Sequence, residues 1–452
     1  MTTTKKARSL WSGAFCATLA LVGAAPGQGA ADGAQASGVI HAAPEALTAN
    51  TPYGRVLEIT EFLTRPENKV KAQLPSPETQ YGWQHMSRFG PTAQILRAGD
   101  VRPLALDIDP GIGQVTYTDK TGTTRSVDQH FEAFPVDALI VISKGAVVYE
   151  RYKTMRPEDK HIWFSVSKVA GSTLLALLEL EGRIDVQRAV SSYLPELEGS
   201  VWDSVTVEQA LDMATGLNGT EHDEPTADSR TNPEQIWYQW GASLGILDDA
   251  TGAGRTWVEV LRGMERVKPG HSVYEYNSIN TFVVNRIVER VSGKSLDVLF
   301  GERVWSRAGM GNDAYILVSP GGLPLGFMGI NSTLRDMARF GMLFTPSRSV
   351  ISDEEVIPDA VLATLRDTTH AAMFDKGWAG DKFGTSFPDG GPMTNRYQWD
   401  AVLADGDIYK SGVGGQGLYI SPSRDIVVAW FCTGTGADQE ETMARAIVKA
   451  LD

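Results

Sequence analysis

The chain has 452 residues, of which 42% are apolar and 21% charged, and its formal net charge is −14. That length provides for two or three structural units with a substantial core. The acidic balance, with no cluster of Lys or Arg in the body of the chain, excludes nucleic acid as the partner.

In chain order, Lys5, Lys6 and Arg8 precede the apolar run LWSGAFCATLALVGAA and then the small-residue stretch PGQGAADGAQA. Residues 1–36 therefore read as a signal peptide and linker, and predict a periplasmic or secreted protein. No later segment reaches about 18 uninterrupted apolar residues, so no stable membrane insertion is expected after leader removal. Of the two cysteines, Cys16 leaves with the leader, and Cys432 closes the run DIVVAWFC as a buried, inert thiol. With no CxxC or HExxH pattern and seven scattered histidines, no metal centre and no cofactor are expected.

Residues 37–134 are rich in Pro, Gly and Thr and predict an extension packed on the main domain. Within it, TYTDKTGTTRSV forms a hairpin turning at Lys120-Thr121-Gly122. The main domain, 135–452, opens with DALIVISKGAVVYERY, a second hairpin. A sheet part (135–164 and 395–452) is then interrupted by a mainly helical part (165–394). The helix after Ser165 is apolar on nearly every side and ends near Gly182. Thr206 caps VEQALDMA, INTFVVNRIVERVSG has helical spacing ending at Gly293, and STLRDMARFGMLF is amphipathic. RYQWDAVLA, DIYKSG, QGLYIS and DIVVAWFC read as strands, and DQEETMARAIVKALD as a closing helix. Early strands, a helical middle and late strands predict an α+β fold, an antiparallel sheet flanked by helices, with a ligand cleft between the two parts.

Three stretches carry chemistry. In HIWFSVSKVAGS, Ser165 and Lys168 stand three residues apart at a helix start, so hydroxyl and ammonium share a face. Burying an unpaired ammonium is costly. The lysine therefore either snorkels to solvent or serves as the base that activates the serine. In YEYNSINT, Tyr276 offers a phenol whose pKa two neighbouring lysines would lower. Ser278 and Asn280 follow it as supporting groups or helix caps. In IYKSGVGGQGLYI, Lys410-Ser411-Gly412 opens a strand whose glycines admit a close substrate backbone. The earlier Lys120-Thr121-Gly122 is set aside as a hairpin turn. Asp223 and Glu224 read as a solvated loop that could touch an amine. Trp237, Tyr238, Trp240, Trp378 and Trp399 read as packing that could also line a pocket.

In this order, Ser-x-x-Lys, Tyr-x-Ser and Lys-Ser-Gly resemble the penicillin-recognising serine hydrolases. The blocks GWQHM, PTAQILRAG, HIWFSVSK, ALDMATGL, DMARFG and GVGGQGLYISPSRDIVV look most like the 6-aminohexanoate-dimer (nylon oligomer) hydrolases over residues 80–450. That group has His-x-Gly where this chain has Lys410-Ser411-Gly412, the form usual in β-lactamases and D,D-peptidases. The resemblance implies a serine β-lactamase/transpeptidase-like fold and an acyl-enzyme on Ser165. It further implies that Lys168 and Tyr276 share the serine's proton, that Lys410 holds Tyr276 anionic, and that the N–H groups of Ser165 and Val413 form an oxyanion hole beside Gly412. The implied partner is a small-molecule linear amide or ester. The alternatives are a class C-type β-lactamase or D,D-peptidase, and a non-catalytic ligand-binding relative.

Overall fold

Strands with no polar alternation must be covered on both faces, and the apolar runs of this chain form the interior of a seven-stranded sheet. The computed structural model describes residues 51–222, 229–435 and 439–452; the expected leader, and Asp223 and Glu224, lie outside them. The first strands are β1 (Thr92–Ile95), β2 (Ala105–Leu106), β3 (Thr116–Thr118), β4 (Thr124–Ser126), β5 (Val136–Ser143), β6 (Ala146–Tyr152) and β7 (His161–Ile162). They are followed by β8 (Ala314–Leu317), β9 (Ile330–Ser332), β10 (Ala401–Val402), β11 (Ile408–Gly412), β12 (Gln416–Ser421) and β13 (Ile426–Cys432).

The main sheet runs β10-β11-β12-β13-β5-β6-β2. Along β13 the period-2 pleat sends Val427, Ala429 and Phe431 into one core, and Val428, Trp430 and Cys432 into the other. On the first face the helix Leu334–Met342 packs across β13, β12 and β5; on the second the closing helix Glu440–Ala450 packs on β12. The helix Lys168–Leu180, buried over most of its length, lies against the helix Ser278–Ser292. Gly171 permits that approach: a Cβ there would stand 1.9 Å from Asn285 Oδ1.

The hairpins at 116–126 and 136–152 form as expected, as do the capping box at Thr206 and the left-handed Gly293 that ends the helix Ser278–Ser292. Three features differ from expectation. The sheet is mixed rather than purely antiparallel, because β2 pairs with β6 in parallel. The residues read as an overlying extension are woven in, since β1 pairs with β8 in a second sheet, β1-β8-β9-β7, two of whose strands lie in the mainly helical part. Finally, RYQWDAVLA supplies only the two-residue β10. Tyr397 and Gln398 adopt φ of 47° and 69°, a left-handed geometry no strand accommodates. The Gln398 amide there donates to the carbonyls of Ala210 and Leu211 instead of joining a ladder. That coil turns Asp400 inward.

Candidate active site

Ser165 sits on a single turn of 3₁₀-helix, Phe164–Ser167, that runs directly into the helix Lys168–Leu180. The residue before it, Phe164, has φ of +45°, which is uncommon for a bulky side chain and characteristic of strained functional turns. Packing holds it there, with the Trp83 ring edge-on to Phe164 at 4.8 Å. On the following turn Lys168 is wholly buried. Its Nζ lies 3.0 Å from Ser165 Oγ and donates to the carbonyl of Phe327 at 2.8 Å. The lysine does not snorkel. Burial, aided by repulsion from Lys410, pushes its pKa down to about 7, against the attraction of Glu221 and Asp400.

Lys410 on β11 is equally buried and closes the opposite side. Its Nζ reaches the Tyr276 hydroxyl at 3.2 Å and is ion-paired with Asp400. The second oxygen of Asp400 accepts from the Ser411 amide at 2.8 Å and its hydroxyl at 2.6 Å, which fixes the Lys410-Ser411-Gly412 strand. Tyr276 is bracketed by the two ammonium groups, with Lys168 Nζ 5.3 Å and Lys410 Nζ 4.7 Å from its ring centre. The expected lowering of its pKa is nevertheless reversed. Burial, then the negative charges of Asp400 and Glu221, push the phenol well above the usual tyrosine range, and a hydrogen bond with Ser165 offsets them only in part. Lys410 is already neutralised by its carboxylate, so it does not hold Tyr276 anionic. That shift favours the phenol over the phenolate.

Ser165, Lys168, Tyr276, Ser278, Gly412 and Val413 all line one cavity of about 380 Å³. Gly412 presses on the nucleophile's turn: a Cβ there would lie 2.7 Å from the Trp163 carbonyl and 3.1 Å from the Ser165 amide. Val413 opens the turn Val413–Gly415 at the cavity rim. Ser278 reaches the cavity through Glu221, which accepts its amide and hydroxyl. Asn280 does not reach it; its side chain turns to Thr215. The helix cap is Asn277, whose Oδ1 accepts from the Ile279 amide at 2.9 Å. Trp237 and Trp378 line the cavity, whereas Trp240 and Trp399 belong to the core and Tyr238 faces a separate surface cleft.

Two acids of this site were missed by sequence reasoning. Glu221 stands two and three residues before the loop acids Asp223 and Glu224 that were considered in its place. Asp400 was hidden in a run read as strand. A buried Lys410 carries the demand for a counter-ion, but no linear pattern says which acid meets it. The Phe327 carbonyl, 159 residues from Lys168, left no sequence signal either.

A cavity-lining serine and a buried lysine at a helix start, faced by a phenol and a second buried lysine on a mixed sheet, define the serine β-lactamase-like α+β class. The chain belongs to the Beta-lactamase family, whose model matches residues 124–452. It is thus a Beta-lactamase-family hydrolase. It is 28% identical, over 78% of its length and 85% of the relative's, to a 6-aminohexanoate-dimer hydrolase of Paenarthrobacter ureafaciens. A solved structure from Bacillus anthracis, provisionally assigned as a 6-aminohexanoate-dimer hydrolase, superposes with a TM-score of 0.69 at 22% identity, covering 83% of this chain and 94% of that one. EstCE1, a hydrolase with promiscuous acyltransferase activity, superposes with a TM-score of 0.53 at 16% identity, covering 72% of this chain and 96% of that one.

Proposed function

We propose that this protein is an exported serine hydrolase that cleaves a linear amide or ester through an acyl-enzyme on Ser165, in the manner of a 6-aminohexanoate-dimer hydrolase. The observation that carries this reading is the 3.0 Å contact between Ser165 Oγ and a wholly buried Lys168 Nζ. As a neutral amine, Lys168 takes the hydroxyl proton while Ser165 Oγ attacks the substrate carbonyl carbon. The resulting oxyanion is received by the Ser165 and Val413 N–H groups. Tyr276, protonated at rest, donates to the departing nitrogen or oxygen as its bond to carbon breaks, and regains a proton from the Lys168 ammonium. Water then attacks the acyl carbon, passes its proton to the lysine–tyrosine pair, and Ser165 leaves as the alcohol. The aromatic walls formed by Trp237, Trp378, Phe327 and Phe383 suit an unbranched, largely apolar acyl or amine chain.

The reading is tested by assaying a short p-nitrophenyl ester and a linear amide against a chromogenic cephalosporin. Faster turnover of the linear substrates is expected; turnover of the cephalosporin alone would transfer the assignment to a β-lactamase. That second reading, a class C-type β-lactamase or D,D-peptidase, is favoured by Lys410-Ser411-Gly412 in place of His-x-Gly.

The pKa of Lys168 sets the pH profile. Its depressed value means that the basic form accumulates as pH rises through about 7. The kcat/KM for the ester should therefore fall about tenfold per unit below that pH and level off above it. A flat profile between pH 5 and 8 would remove Lys168 from the base role. Gly412→Ala should cost about 10²–10³-fold in kcat, the size of a lost oxyanion donor, because its methyl would press on the Ser165 amide. A kcat within about threefold of wild type would contradict this placement of the hole.

A further inference from the structure

Histidines that lie far apart in the sequence meet outside the catalytic cavity. His271 and His370 stack face to face, with ring centres 3.7 Å apart and planes 14° from parallel. Glu208 joins them: its Oε2 lies 3.6 Å from His370 Nε2, and one donor atom from each of the three residues falls within 4.8 Å of the others. His271 Nε2 is sealed from solvent with no hydrogen-bond partner among the described residues, and the nearest charged oxygen, on Asp212, is 3.8 Å away. In charge, the single guanidinium of Arg396 faces three carboxylates, Glu208, Asp212 and Asp367.

We propose that Glu208, His271 and His370 form a binding site for one divalent transition-metal ion of the Zn²⁺ type, distinct from the catalytic cavity. Two imidazoles and a carboxylate are a donor set suited to such an ion and poorly suited to Mg²⁺, which takes oxygen ligands. With bonds of about 2.0–2.1 Å, tetrahedral donors stand roughly 3.3 Å apart, so closure asks a shift of about 1.5 Å and a tilt of the stacked rings. Both histidines lie in turns, outside regular helix and strand. Arg396 occupies the other oxygen of Glu208 at 3.1 Å, which leaves Oε2, held by Gln187 at 3.0 Å, facing the rings.

The site ties together three segments. Glu208 lies on the short helix Val207–Leu211, His271 lies five residues before Tyr276, and His370 lies eight before Trp378. The two loops are already joined where the Tyr274 amide donates to the Met373 carbonyl at 3.2 Å. A bound ion would therefore brace two walls of the catalytic cavity from behind without touching substrate.

The full chain, stripped with a chelator, is dialysed against Zn²⁺ and its metal content measured, alongside thermal unfolding and the visible spectrum of the Co²⁺ form. One equivalent of Zn²⁺, a raised Tm and the intense bands of low-coordinate, histidine-bound Co²⁺ are expected, with Mg²⁺ producing no shift. His370→Ala and His271→Asn should each weaken Zn²⁺ binding by about tenfold or more; asparagine is chosen because His271 has φ of +53°. Failure of the wild-type chain to take up an equivalent, an equal shift with Mg²⁺, or undiminished Zn²⁺ affinity in both variants would overturn the proposal.

Discussion

Ser165→Ala should lose the covalent adduct that a fluorophosphonate leaves on the wild-type chain, and its turnover of a linear ester should fall about a millionfold, the scale on which nucleophile removal acts in serine hydrolases. The loss is expected to be this large because, in the proposed mechanism, the hydroxyl, the amine and the phenol act as one unit. Lys168 touches Ser165, and Tyr276 stands between Lys168 and Lys410. Lys168→Ala should accordingly cost nearly as much as Ser165→Ala, and the double variant scarcely more than either. Intact-mass measurement reads the adduct directly, independently of substrate choice. Labelling that persists in Ser165→Ala would identify another nucleophile, and additive losses would show that the two side chains do not work together.

Asp400→Ala is the second large effect, and it strikes stability as well as rate. Lys410 and Asp400 are both fully buried and paired. Removing the carboxylate leaves an ammonium without a counter-charge in the interior, a change that typically costs about 3–5 kcal/mol. The Ser411 amide and hydroxyl lose their acceptor at the same time. Urea unfolding should show the midpoint shifted down by that free energy divided by the slope, with the slope itself unchanged. A companion variant, Asp400→Ala with Lys410→Met, separates charge from packing: removing both charges should recover much of the stability while activity stays low. If Asp400→Ala unfolds at the wild-type midpoint, the pair is not what anchors the Lys410 strand.

The same carboxylate explains where sequence reasoning failed. From Tyr276 flanked by two lysines, a lowered phenol pKa is the natural inference, because adjacent cations favour phenolate. It fails because burial penalises the charged phenol, and because Asp400 and Glu221 stand among those cations. In the mechanism proposed above the consequence is a change of role, from a resting base to a resting acid. Likewise the histidines look scattered along the chain, yet His271 and His370 stack; a separation of 99 positions is invisible to any spacing rule for metal ligands.

What the sequence determined unaided follows from local rules. The apolar run IVVAWFC had to be an interior strand, Ser165 and Lys168 had to share a face at a helix start, and Thr206 and Gly293 had to begin and end helices. Each depends on backbone periodicity or on a cap a few residues away. Only the tertiary structure decided which acid neutralises Lys410, which carbonyl anchors Lys168, that RYQWDAVLA coils before the two-residue β10, and that β2 adds a parallel edge. Those outcomes are set by charge compensation and hydrogen-bond satisfaction between segments distant in the chain or, for Asp400, by a coil that distant carbonyls hold in place.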